Sequence, residues 1–251
     1  MKNIREHRAR RTAAAALLSL GVALGLATPP AQAVEGGTTI GSTWGTGMAQ
    51  VWEMTPGGPA YRCSGSVVGP IKVLTAAHCF KPGVDYTDFY VLVGHTEKGK
   101  GHRIRVGNVN KHKDLAVASL TADVRRHSEV HHVALNTRIE PAHGEYAHVQ
   151  GWGRTCLTCR GSLQLKQARV RVVDYGTDLA GGPAYRVFGS PKNGALREGD
   201  SGGPMLWNGR QVGVVSDDSG PNDAHHAHIS LFDDSAERFL TDMHVPVNTA
   251  W

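Results

Sequence analysis

Three short segments hold residue types that together could break an acyl bond. Ser201 stands in Gly199-Asp200-Ser201-Gly202-Gly203-Pro204, His78 in Thr75-Ala76-Ala77-His78-Cys79, and Asp114 in Lys113-Asp114-Leu115-Ala116-Val117. A serine hydroxyl is a weak nucleophile at its own pKa. It requires a base within hydrogen-bond reach, and that base requires a partner that fixes its tautomer. Glycines on both sides of Ser201 permit a tight turn, expose the hydroxyl and let backbone N–H groups approach a substrate oxygen. Taken singly, a His before a Cys reads as structural, and an Asp opening a strand reads as a turn residue. The three segments together supply a nucleophile, a base and an orienter.

Short β-type runs separated by Gly and Pro are available to position them. They fall at 47–53, 65–74, 89–93, 103–109, 115–120, 147–152, 163–173, 205–207 and 211–216. Their spacing and β-branched content predict an all-β barrel or sandwich. Only the end reads as a helix: Asp234 can cap, Glu237 follows three residues later, and Ala236, Phe239, Leu240 and Met243 share a face. One helix after many strands lacks the alternation of a parallel α/β sheet.

The pattern Gly199-x-Ser201-x-Gly203 also satisfies the nucleophile elbow of α/β-hydrolases. Acids (Asp217, Asp218, Asp223) and bases (His225, His226, His228) follow it. An elbow needs a helix directly after the serine. Here 205–207 and 211–215 read instead as a hairpin closed at Asn208-Gly209, and the elbow reading is set aside.

The segments TAAHC (75–79), DLAVASL (114–120), GWG (151–153) and GDSGGP (199–204), with VEGG at 34–37, occur in an order that resembles chymotrypsin/trypsin-like serine proteases of bacterial secreted type. The resemblance covers essentially all of 34–251. It implies two antiparallel six-stranded β-barrels packed against each other with a C-terminal helix, as subdomains of roughly 34–135 and 136–251. The active site would lie in the cleft between barrels. By the same resemblance Ser201 attacks the scissile carbonyl, His78 moves the proton, and Asp114 orients His78. The N–H groups of Gly199 and Ser201 form the oxyanion hole, and Ser216 supports the buried Asp and borders the substrate channel. The α-amino group of Val34, freed by maturation, pairs with Asp200. Cys63 and Cys79 match the disulfide that ties the histidine loop.

Several positions depart from that family. Arg197 stands where the family has a half-cystine, and its usual partner falls near Pro221, also not Cys. Counting back without gaps puts the pocket floor at Ala195, where trypsin-like members carry Asp. Asp217 replaces the usual Trp, and Asp218 stands where a Gly is common. Ala195, Ser216 and Asp218 are thus the expected substrate-binding residues, without an inherited Arg/Lys preference at Ala195. Cys156 and Cys159 match no family pair and read as a local loop disulfide. A redox role would want a βαβ context, and zinc with a nearby His is the remaining alternative.

Length and composition frame these expectations. The chain has 251 residues with 31 Gly, above the usual share of roughly 7%, which favours turns and short strands. Residues 1–33 carry four of the five net positive charges, so the rest is nearly neutral and offers no basic nucleic-acid surface. That segment has a basic start, an apolar run at 12–27 and Ala31-Gln32-Ala33 at its end, the tripartite pattern of a secretory signal peptide. An uncleaved anchor would need about 20 apolar residues. Clusters at His127, His131, His132 and at His225, His226, His228 read as solvated surface rather than as a metal site. The expected protein is a secreted, monomeric serine endopeptidase acting on protein or peptide substrates, with no cofactor or metal and no membrane contact after signal removal. A protein inhibitor is a compatible partner. The alternative is a catalytically weak homologue that binds proteins or surfaces.

Overall fold

The computed structural model describes residues 36–41, 47–156, 158–190, 194–218 and 225–248, Asp218 through its backbone alone. The proposed signal segment 1–33 and Val34 lie outside the described residues, as do Pro221 and Asp223. Among the described residues no helix is long and apolar enough to cross a membrane.

The first barrel is built from β2 (Met48–Thr55), β3 (Gly58–Gly69), β4 (Lys72–Ala76), β5 (Phe89–Val93), β6 (His102–His112) and β7 (Leu115–Leu120). It closes in the order β2-β3-β4-β7-β6-β5, with every pair antiparallel. The expected run at 65–74 is two strands, because the chain turns at Pro70-Ile71 and folds β4 back on β3. Proline lacks the N–H that a continuing strand would donate.

The second barrel contains β8 (Tyr146–Gly151), β9 (Lys166–Thr177), β10 (Pro183–Phe188), β11 (Pro204–Trp207), β12 (Arg210–Asp218) and β13 (His226–Leu231). The order β9-β10-β13-β12-β11-β8 is closed by β8 pairing with β9. A two-residue strand, β1 (Thr38–Thr39), is added on the outer side of β9. Asn208 (φ 50°) and Gly209 (φ 76°) join β11 to β12, with the two positive φ values of a type I′ turn. The architecture is therefore two closed six-stranded antiparallel barrels with one C-terminal helix.

Each barrel has its own core, in line with strands that alternate inward apolar and outward polar residues. Val51, Val67, Leu74, Phe89, Val91 and Val117 fill the first; Val149, Val170, Tyr185, Val187, Met205 and Ile229 fill the second. The helix α1 (Asp234–Asp242) ends the second half of the chain, yet its buried residues Ala236 and Leu240 join the core of the first barrel together with Phe232 and Val245. Its cap is Asp233, one residue before the expected Asp234. Asp233 Oδ1 accepts from Ala236 N at 2.8 Å. The third position is then Ala236, so Glu237 does not close a capping box and instead accepts from Thr137 Oγ1 at 2.7 Å.

Candidate active site

His78 lies in a single 3-10 turn, Ala77–Cys79, that follows β4 directly. Two covalent and polar ties fix that turn. Cys79 is bonded to Cys63 of β3 with an S–S distance of 2.02 Å. Thr75 Oγ1 donates to Ser64 O at 2.8 Å. Cross-linking a loop of this size removes chain entropy from the unfolded state worth about 3 kcal/mol.

Asp114 enters β7 from a reversal in which Lys113 takes φ 51°. The residue is 1% exposed, and its carboxylate makes four contacts with three donors. The His78 backbone N–H donates to Oδ1 at 3.0 Å, and His78 Nδ1 lies 3.1 Å from Oδ1 and 3.0 Å from Oδ2. Ser216 Oγ donates to Oδ2 at 2.5 Å. Ala77 N also donates to Asp114 O at 2.9 Å. A carboxylate cut off from water is tolerable only with this degree of pairing. His78 itself keeps about a third of its side chain exposed.

Ser216 reaches Asp114 because β12 carries a bulge. Val215 pairs with Ile229 and Asp217 with His228, which leaves Ser216 as the extra residue and aims it across to the first barrel. The Leu179 N–H caps the same hydroxyl at 3.2 Å.

Ser201 sits in the turn between Arg197 and β11. Asp200 N donates to Arg197 O and Gly203 N to Asp200 O, both at 2.9 Å. Ser201 O accepts from Ser64 N at 2.9 Å, and Gly202 N donates to Val215 O at 2.7 Å, so both barrels grip this turn. Gly202 has φ 81°, and a Cβ there would lie 2.0 Å from Thr75 Oγ1 and 2.3 Å from Ser64 O. The glycine thus lets the serine turn press onto the segment that bears His78. Gly199 O accepts from Tyr61 OH at 2.8 Å and from Ser64 Oγ at 3.0 Å. Among the described residues, no group accepts a hydrogen bond from the N–H of Gly199 or of Ser201, and no hydrogen bond joins Ser201 Oγ to His78.

Asp200 is fully buried. Its Oδ1 accepts from Gly153 N at 2.8 Å and its Oδ2 from Arg197 N at 3.0 Å. Lys98 and Tyr61, which sequence reading did not single out, border it. Burial pushes the Lys98 ammonium down to about 8, against the opposing pull of Asp200. Burial also pushes the Tyr61 phenol well above its usual range, with Asp200 adding to the shift. Neither residue carries a local motif that would have announced it.

The expected substrate-binding positions are less closely gathered. Ser216 joins Asp114, whereas Ala195 is completely buried beside the Ser190–Gly194 bridge. The Asp218 side chain lies outside the described residues. Arg197 is 4% exposed, so the position of the missing half-cystine is filled by a buried guanidinium. Cys156 and Cys159 are disulfide-bonded at 2.12 Å.

Among the described residues, two side-chain groupings have metal-ligand types. In Cys63, His78 and Cys79 the sulfurs are bonded to each other. In His102, His127 and Glu129 the two imidazoles are parallel and stacked 3.6 Å apart, and Glu129 already pairs with His102. Parallel rings do not aim their lone pairs at one point. His127 is thus packed, not simply solvated, and His228 likewise pairs with Asp217 at 2.8 Å. Of the second cluster only His225 is exposed. A shallow recess of about 350 Å³ beside α1 is lined by Asp234, Glu237, Arg238, Thr241 and Asp242, and contains none of the residues above.

The family model described as Trypsin matches residues 42–234. Serine protease SP24D of Anopheles gambiae is 33% identical over 63% of this chain, and the match spans 63% of that relative's own length. Human cathepsin G is 33% identical over 67% of this chain and 71% of its own, and a trypsin of Sarcophaga bullata is 31% identical over 63% and 69%. These relatives are insect and vertebrate, and they lend no support to the bacterial subtype. Among solved structures, a scabies mite inactivated protease paralogue, S-D1, is similar in fold with a TM-score of 0.70, at 19% identity, covering 85% of this chain and 98% of that one. The match of the family model to most of its length places the chain in the trypsin-like serine protease family.

Proposed function

We propose that this chain is a secreted serine endopeptidase that works through an acyl-enzyme. The observation that carries the reading is the hydrogen-bond chain from Ser216 through Asp114 to His78 Nδ1, set beside a serine turn clamped to both barrels. Ser201 Oγ attacks the scissile carbonyl carbon while His78 Nε2 takes the hydroxyl proton. Asp114 holds the Nδ1 proton and stabilises the imidazolium. The unengaged N–H groups of Gly199 and Ser201 receive the developing oxyanion, each such donor lowering the barrier by about 3 kcal/mol. Collapse of the tetrahedral intermediate breaks the C–N bond, and the His78 proton passes to the leaving amine. Water then repeats the sequence on the ester and regenerates Ser201.

Residues 1–33 are read as the signal peptide and 34–251 as the protease domain. Cleavage after Ala33 frees Val34, whose ammonium is proposed to pair with Asp200. The uncharged Ala195 supplies no built-in preference for Arg or Lys.

A second reading is a catalytically silent homologue acting by binding. The buried Arg197 in place of the family half-cystine favours it, and the fold neighbour is described as inactivated. A fluorophosphonate probe separates the two. Covalent labelling that is lost, along with peptide hydrolysis, in a folded Ser201→Ala variant is the expected result. A folded wild-type protein that takes no label and cleaves no peptide library would establish the silent reading.

A further inference from the structure

One peptide group links two buried charges. Lys98 Nζ donates to the carbonyl oxygen of Trp152 at 2.5 Å, and the N–H of Gly153 donates to Asp200 Oδ1 at 2.8 Å. That carbonyl and that N–H belong to the same amide. In a trans peptide the two point in opposite directions, so ammonium, amide dipole and carboxylate line up in series with favourable sign at each junction. The packing is built for this approach. A Cβ on Gly153 would fall 2.4 Å from the Asp200 carboxylate, and one on Gly161 would fall 2.3 Å from Lys98 Nζ. The Lys98 ammonium also lies 4.0 Å from the centroid of the Tyr61 ring, whose hydroxyl holds Gly199 O.

We propose that Lys98 is a built-in counter-cation for Asp200, coupled to it through the Trp152–Gly153 peptide, and that it holds the 197–203 turn in place when no N-terminal ammonium is inserted. The inference rests on the peptidase reading above and adds to it a mode of regulation. Lys98 is a positioning residue: it touches neither substrate nor Ser201, and acts on Gly199 and Ser201 through Asp200 and Tyr61. A chain with residues still attached ahead of Val34 then retains activity, and maturation raises activity rather than switching it on. The titratable groups that face Lys98 are Asp200 and Tyr61, of which Tyr61 stays neutral through the working range; the buried Arg197 donates its backbone N–H to the other carboxylate oxygen of Asp200 and is the same in all four proteins compared below. The Arg154–Glu198 pair flanks the turn at the surface.

The test compares two chains, one beginning at Val34 and one retaining Ala31-Gln32-Ala33 ahead of it, each as wild type and as Lys98→Met. In the extended wild type, peptidase activity falls as pH rises through about 8, where Lys98 loses its proton. Lys98→Met costs the extended chain at least about tenfold more activity than it costs the Val34 chain, because only the Val34 chain keeps a terminal ammonium as an additional cation for Asp200. Two readouts are independent of activity. The Gly153 amide resonance of the extended wild type titrates with a midpoint near 8, and hydrogen exchange at 197–203 quickens in Lys98→Met. A Gly153 resonance that does not move over this range overturns the proposal on wild-type protein alone, even should Lys98→Met fail to fold. Equal activity losses in the two chains, with unchanged exchange, overturn it as well. If Gly153 titrates and the exchange responds while no form cleaves peptide or takes a fluorophosphonate, the bridge stands and the peptidase reading fails.

Discussion

Ser216 and Asp114 come from different barrels and meet at 2.5 Å, hydroxyl to carboxylate. The contact makes the second barrel a structural partner of a residue that the first barrel buries. Removing it should therefore affect His78 more than it affects the fold. A hydrogen bond to a charged group contributes about 1.5–3 kcal/mol. Ser216→Ala is expected to lower kcat by about tenfold with a smaller change in KM, because the lost hydrogen bond to Asp114 orients the base. Steady-state kinetics on one peptide ester decide the matter, and a loss confined to KM would count against this role.

Glycine at position 202 has two separate reasons, its φ of 81° and the 2.0 Å approach of Thr75 Oγ1 to any added Cβ. Gly209 shares only the first, with φ 76° and nothing within 4 Å. Left-handed strain alone costs about 1 kcal/mol, while backbone overpacking adds about 1–3 kcal/mol. Gly202→Ala should depress the melting temperature several times more than Gly209→Ala. Equal shifts by calorimetry would refute the close approach.

Asp233 bears on acid stability. Partial burial works to raise its pKa, but hydrogen bonds from Ser235, Lys113 and the Ala236 N–H outweigh that and hold it below the usual carboxylate value. For a carboxylate depressed in the folded state, the stabilisation is present above the unfolded pKa and lost as pH falls through the lower folded one. The Asp233 contribution should thus be complete at neutral pH and vanish on acidification below about 4. Asp233→Ala is expected to cost about 1 kcal/mol at pH 7, the usual worth of a helix cap, and less at pH 2. Urea melts at the two pH values provide the comparison, and a cost that does not shrink in acid would exclude the carboxylate as its source.

Much of this was legible before any coordinates, for physical reasons that differ from element to element. The strands 89–93 and 115–120 coincide with mainly apolar runs that are buried almost throughout, where composition sets the limits. Strands β10 and β13 escaped notice. One opens on Pro183, and the other alternates histidine with apolar residues, a pattern that invited attention to ligand chemistry and hid its period of two. The cap moved from Asp234 to Asp233 because two adjacent aspartates offer the same side chain and only backbone geometry separates them. Within the site, Ser201, His78 and Asp114 stand in segments with distinctive neighbours. Lys98 and Tyr61 do not, since their significance lies in contacts with Trp152 and Gly199, 54 and 138 residues away.

The crossed ends of the chain carry one more consequence. Thr38 and Thr39 pair with the second barrel, while Ala236 and Leu240 complete the core of the first. Each half thus holds a piece of the other like two clasped hands. A protease nick in the segment between β7 and β8 would leave fragments that stay associated, since parting them would bare apolar core on the first half and an unpaired strand edge on the second. The core of the first barrel is therefore completed only once α1, which follows the strands of the second, has been made.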